Sequence, residues 1–124
     1  MNEENEKLVI IITTGPDNQE KATLPFVMAT AAQAMDIEVT IILQGAAVAL
    51  AKKGGCAENV HSPGLMPLKE LMDTFLELEG KLLLCSPCIN ERQIKESELI
   101  EGSEIGAAGS VIAEVMEAKA VLNY

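Results

Sequence analysis

The chain has 124 residues, a formal charge of −10, 48% hydrophobic residues and only 2% aromatic ones. That length suits one domain with a real core, and the apolar content is too high for a disordered chain. The acidic balance, with no Trp and one Tyr, argues against binding nucleic acid or an anionic membrane, and leaves no platforms for stacking bases.

Residues 1–6 are acidic and polar and are expected to form a loose tail. They are the opposite of a secretory signal, and no apolar run reaches the length of a membrane span, so a cytoplasmic location is expected. Lys7 to Thr14 predicts a first strand. Its continuous β-branched core, Leu8 to Ile12, suits a parallel strand buried on both faces. Thr13 to Asn18 is a loop, in which Gly15 is a candidate for close backbone approach to a ligand.

A helix is predicted from about Gln19 to Met35. Leu24, Val27, Met28, Ala31 and Met35 recur at helical spacing as its apolar face. Pro25 is best tolerated in a first turn, which places the start of the regular helix near Thr23. Ile37 to Leu43 reads as the second strand, and Ala46 to Lys53 as a short Ala-rich helix stopped by Gly54 and Gly55. Neither early strand is followed by a dinucleotide fingerprint or a phosphate-binding loop. Cys56 to Pro67 is irregular and carries the single histidine, His61, a candidate for covering a nearby site.

Pro67 to Gly80 predicts a helix whose face is Leu68, Leu71, Met72, Phe75 and Leu76. The third strand, Lys81 to Leu84, runs into Cys85-Ser86-Pro87-Cys88. Pro87 suits a first helical turn, which places Cys85 or Ser86 near the N-cap. A thiol at the carboxyl end of a buried strand and the start of a helix stands where open α/β sheets place ligands and where a thiolate is stabilised. Arg92 lies within the next turns and is a candidate for facing an anionic sulfur or substrate. A brief strand is expected near Leu99 and Ile100, then a last helix opened by Gly106 to Ser110 and reaching Lys119, then a final strand from Ala120.

The alternation of strands and helices predicts a single α/β domain over residues 1–124. It should be a three-layer α/β/α sandwich with a mainly parallel sheet of about five strands. The three cysteines, in a chain expected to be cytoplasmic, point to reactive thiols rather than structural disulfides. One C-x-x-C with a distant Cys56 and His61 is a poor zinc pattern, so neither a metal nor an organic cofactor is expected.

This layout resembles the DsrE/DsrF-like family of small α/β proteins of sulfur metabolism. The resemblance rests on Thr13 to Pro16 after the first strand, Ile37 to Ile42 with Gln44-Gly45-Ala46, the helix start Met66 to Leu71, and the strand ending in Cys85. It implies a flavodoxin-like fold, a homo-oligomer (trimer or hexamer), and a sulfur carrier or sulfurtransferase holding a persulfide on a cysteine at the position of Cys85. Partners would then be sulfur donors and acceptors. Cys88 is not a general feature of the family; it suggests a second, resolving thiol. Two other readings stay open at this point. One is a C-x-x-C thiol–disulfide redox protein; the other is a non-catalytic oligomeric subunit that binds a small ligand.

Overall fold

The computed structural model describes residues 6–124. Five strands form one parallel sheet: β1 (Lys7–Ile12), β2 (Glu38–Leu43), β3 (Lys81–Cys85), β4 (Ser103–Gly106) and β5 (Ala120–Asn123). Their spatial order is β4-β3-β2-β1-β5. Four α-helices connect or cover them: α1 (Gln19–Ala34), α2 (Leu68–Glu77), α3 (Ser86–Glu91) and α4 (Ala108–Glu117). The single α/β/α arrangement with an all-parallel sheet is the one expected. Among the described residues, no helix is long and apolar enough to cross a membrane.

The strand order dictates where the helices go. From β1 to β4 the chain steps one strand at a time; after β4 it must return across the sheet to pair β5 with β1. Right-handed crossovers put the forward steps on one face and the return on the other. The pleat sends alternate residues to the two faces. Ile10, Ile12, Ile41, Leu43, Leu82 and Leu84 meet α1, α2 and Ile89 of α3 in the large core. Val9, Ile42 and Leu83 point the other way and meet only α4, through Val111.

One of the three layers is therefore the single helix α4, and an ion cluster helps to pin it. The Glu114 carboxylate accepts from Lys81 Nζ at 2.6 Å and Thr40 Oγ1 at 3.0 Å, and also pairs with Lys7. Burial alone would push this carboxyl up, but the hydrogen bonds from Lys7, Lys81 and Thr40 reverse the effect and hold it at about 2.

Several local expectations are corrected. Helix α1 starts at Gln19, not near Thr23, because Asn18 Oδ1 caps the Lys21 N–H at 3.1 Å. Pro25 lies inside the helix as a buried residue. The face of α1 that enters the core is Ala22, Phe26, Ala29 and Ala32; Met28 and Met35 are exposed. Phe26 decides this, meeting Phe75 of α2 edge-on with ring centroids 5.9 Å apart. By contrast, the expected face of α2 holds: Leu68, Leu71, Met72 and Phe75 are buried.

The Ala-rich segment Gly45–Ala51 is a 3-10 helix rather than an α-helix. The strand expected at Leu99–Ile100 is instead an isolated antiparallel bridge from Leu99 to Lys52, and the true strand is Ser103–Gly106. Buried Leu99 packs beneath the 3-10 segment, whereas the edge strand carries little apolar burial of its own. Residues 1–5 of the expected tail lie outside the described residues. Glu6 accepts a backbone hydrogen bond from Glu38 and pairs with Lys119, so it is attached to the sheet.

Candidate functional site

Strand β3 is followed by α3 on the large-core face, and its neighbour β4 is followed by α4 on the opposite face. Two adjacent parallel strands whose connections leave toward opposite faces open a crevice at their carboxyl ends, the place where open α/β sheets bind ligands. Cys85 and Gly106 are the paired residues at that point. The thiol motif thus stands at the topological switch point of the sheet.

Cys85 is the N-cap of α3 and keeps extended backbone angles, with Pro87 in the first turn. The short turn brings the two thiols together, with Sγ of Cys85 and Sγ of Cys88 2.9 Å apart and sharing a hydrogen bond. All three cysteines are free, and both members of the pair are half-buried. The backbone amides of Cys88 and Gly45 favour the charged forms of the Cys85 and Cys88 sulfurs respectively. Gly45 follows the end of β2 in the left-handed region, with φ +57, which favours glycine.

The pair is electrostatically unequal. Burial, followed by the neighbouring thiol, pushes the Cys85 thiol up from its ordinary value. The neighbouring Cys85 thiol, followed by the Gly45 amide, pulls the Cys88 thiol down. Helix α3 has only six residues, fewer than two turns, so its dipole does little. The two thiols share one close hydrogen bond, so the pair rather than either sulfur alone is the titrating unit.

The remaining candidates divide. Arg92 is in place: its Nη1 donates to the Cys88 carbonyl at 3.2 Å, and its charge favours the thiolate at both sulfurs. His61 is exposed and occupied elsewhere. Its Nε2 donates to the Leu65 carbonyl at 3.0 Å, and its backbone N–H donates to Gln19 Oε1. Gly15 is buried against the neighbouring loop; a Cβ there would lie 2.9 Å from that of Ala46. Its closeness serves packing between the loops after β1 and β2. Cys56 donates to the Ala49 carbonyl at 3.3 Å, and burial pushes its thiol up. Among the described residues, no three His, Cys, Asp or Glu side chains gather as a metal site.

Two site residues were not singled out in the sequence. The Gly45 amide favours the charged form of Cys88, and its only sequence signal is a glycine two residues past a strand. Gly106 flanks Cys85 across the sheet, where a Cβ would come within 2.9 Å of Leu83 and Ser110. Both glycines leave the strand ends beside the thiols free of side chains. Their role depends on strand order, which a linear pattern does not reveal.

Comparison with known proteins gives a consistent picture. The model of the DsrE/DsrF-like family matches residues 6–124. Uncharacterized protein MJ0989 of Methanocaldococcus jannaschii is 33% identical over 119 residues, covering 95% of this chain and 99% of that protein. Uncharacterized protein MJ0760 of the same organism is 38% identical over 103 residues, 83% of this chain; the match spans only 37% of that longer protein. Among solved structures, the ychN protein from E. coli superposes with a TM-score of 0.73 at 17% identity, covering 98% of this chain and 100% of that one. MTH1491 from Methanobacterium thermoautotrophicum gives a TM-score of 0.76 at 11% identity, covering 97% and 100%. At those identities the structural matches speak for the fold alone. The family match over nearly the whole chain and the full-length relative together establish that this chain belongs to the DsrE/DsrF-like family.

Proposed function

We propose that this protein is a cytoplasmic sulfur carrier or sulfurtransferase that accepts sulfane sulfur and passes it on as a persulfide or thiosulfonate on Cys85, with Cys88 as the resolving thiol. The observation that carries this reading is the placement of two free thiols, 2.9 Å apart, at the switch point of the sheet. Sulfur transfer needs a thiolate nucleophile with access and a second group to manage the proton, and the pair offers both. Family membership supports the sulfur chemistry.

The test is cyanolysis. Wild type is loaded with inorganic polysulfide, desalted and treated with cyanide. Thiocyanate should form in amounts approaching one per chain, and none from a Cys85→Ser/Cys88→Ser protein. Equal release from both proteins would reject the reading.

The short Sγ–Sγ approach also favours a second reading, reversible closure of a Cys85–Cys88 disulfide. A redox titration with no reversible two-thiol couple would remove it.

We also propose self-assembly into a trimer or hexamer. The support is exposed apolar surface on both outer layers. On α4, Ile112 and Met116 are 59% and 78% exposed. On the other side, Val27, Ala31, Leu65, Met66 and Leu71 line an apolar groove of about 430 Å³. Sedimentation should give a multiple of the 13.2 kDa chain mass. Ile112→Asp/Met116→Asp should reduce it; a monomeric wild type would contradict the proposal.

A further inference from the structure

We propose that the outer face of α1 is a two-fold contact between copies of this chain, centred on Met28, so that the assembly holds an even number of chains. This rests on the self-assembly proposed above and assigns one contact within it.

Helix α1 carries no charged residue from Ala22 to Met35, fourteen positions in a chain that is 23% charged. A helix that is apolar on every side belongs in an interior. Yet only one side of α1 enters the core of this chain, through Ala22, Phe26, Ala29 and Ala32. On the other side Met28, Ala31 and Met35 are exposed, and Leu24 and Val27 are half-buried. Neighbouring elements extend this surface. Gln33 Nε2 donates to the Phe75 carbonyl at 3.0 Å, which ties the end of α1 to the end of α2 and brings exposed Leu78 beside it. Exposed Met66 lines the apolar groove together with Val27 and Ala31. A continuous apolar surface drawn from two helices and a loop marks a contact site rather than scattered exposure.

A second copy is the occupant that matches. A two-fold contact must be complementary to itself. Along the outer face Lys21, Leu24, Met28, Ala31 and Met35 follow at steps of 3, 4, 3 and 4, so reversing the helix about Met28 lays the row nearly onto itself. Met28 then meets the partner's Met28, where flexible thioether side chains can interdigitate. The charges that bound the row fit the same operation. Lys21 precedes the uncharged run and Asp36 ends it, and both are exposed. Lys21, Met28 and Met35 are each seven positions apart and share one side of the helix, with Asp36 next to Met35. In the antiparallel pair Lys21 therefore comes beside the partner's Asp36, twice by symmetry. Other occupants match less of the surface. An anionic membrane is repelled by a chain of charge −10. A small apolar ligand in the groove would leave Met28, Met35 and Leu78 facing water.

The experiment combines sedimentation with cross-linking of the full chain. Wild type should sediment at an even multiple of the 13.2 kDa chain mass, the hexamer rather than the trimer of the two states named above. Met28→Glu/Ala31→Glu changes only exposed side chains and should halve that mass with the circular dichroism unchanged. Met28→Cys, in a Cys56→Ala/Cys85→Ser/Cys88→Ser background treated with diamide, should give a covalent dimer, in a yield that does not fall as the protein is diluted.

A monomeric wild type would reject the self-assembly reading and this contact together. Three outcomes would leave self-assembly standing and overturn the α1 contact: an odd-numbered wild type; α1 variants that keep the wild-type mass while Ile112→Asp/Met116→Asp lowers it; or no inter-chain disulfide in Met28→Cys.

Discussion

Two thiols that share a hydrogen bond lose one proton more readily than either would alone and lose the second with difficulty, so the pair titrates as a unit. Within the pair, the Cys85 thiol and then the Gly45 amide favour the charged form of Cys88, while burial opposes that of Cys85. Arg92 contributes charge from the exposed side. Replacing it with Leu should raise the Cys88 thiol toward its ordinary value and slow alkylation of the Cys88 peptide by iodoacetamide at neutral pH about two- to threefold. An unchanged rate and pH profile would show that Arg92 does not act on the thiols. The presence of reactive cysteines at this position was legible in the sequence, because a buried strand ending in Cys-Ser-Pro-Cys leaves few alternatives. Their inequality was not legible. It depends first on the Cys85–Cys88 contact and then on Gly45, which is 43 positions from Cys88 in the chain and near it only because β2 and β3 are paired.

At the scale of elements, the strands of this chain were legible where burial is two-sided. The runs 8–12 and 82–84 are uniformly apolar and 39–43 is broken only by Thr40, as a central parallel strand requires. Edge strand β4 was misplaced because Ser103-Glu104-Ile105-Gly106 lacks such a run, while nearby Leu99 and Ile100 offered a false one. Helix α1 was assigned the wrong core face because it has two apolar stripes. The sequence could not say that the one containing Phe26 faces the sheet. The junction of α2 with β3 has little tolerance. A Cβ on Gly80 would lie 2.3 Å from the ring of Phe75, which is fully buried. Gly80→Ala should destabilise the protein by about 2–3 kcal/mol as the ring is forced off its packing. Thermal or denaturant unfolding measures this, and a loss below about 0.5 kcal/mol would show that Phe75 repacks freely.

For the whole molecule, the consequence of strand order is a sheet covered generously on one face and by α4 alone on the other. Glu114 helps to hold that helix, and its acid titration gives the arrangement a pH signature. A carboxyl held at about 2 in the folded state stabilises the fold fully above its unfolded value, and the contribution disappears as pH falls toward about 2. Glu114→Gln should cost about 3 kcal/mol near neutral pH, and the difference from wild type should shrink steadily below about pH 4.5. A difference that stays constant with pH would mean that the ion cluster is not its source. The α/β class and the parallel sheet were legible from alternating elements. The order β4-β3-β2-β1-β5 was not, because no linear pattern says that β5 returns across the sheet to pair with β1. That order places the crevice, and with it the proposed site of sulfur carriage, beside Cys85. The most direct test of that account is the intact mass of the protein after exposure to polysulfide and removal of excess reagent, compared with the Cys85→Ser/Cys88→Ser protein. Wild type should gain sulfur mass that a thiol reductant removes, and the double variant should show no such gain. An unchanged wild-type mass, or the same gain on the double variant, would contradict it.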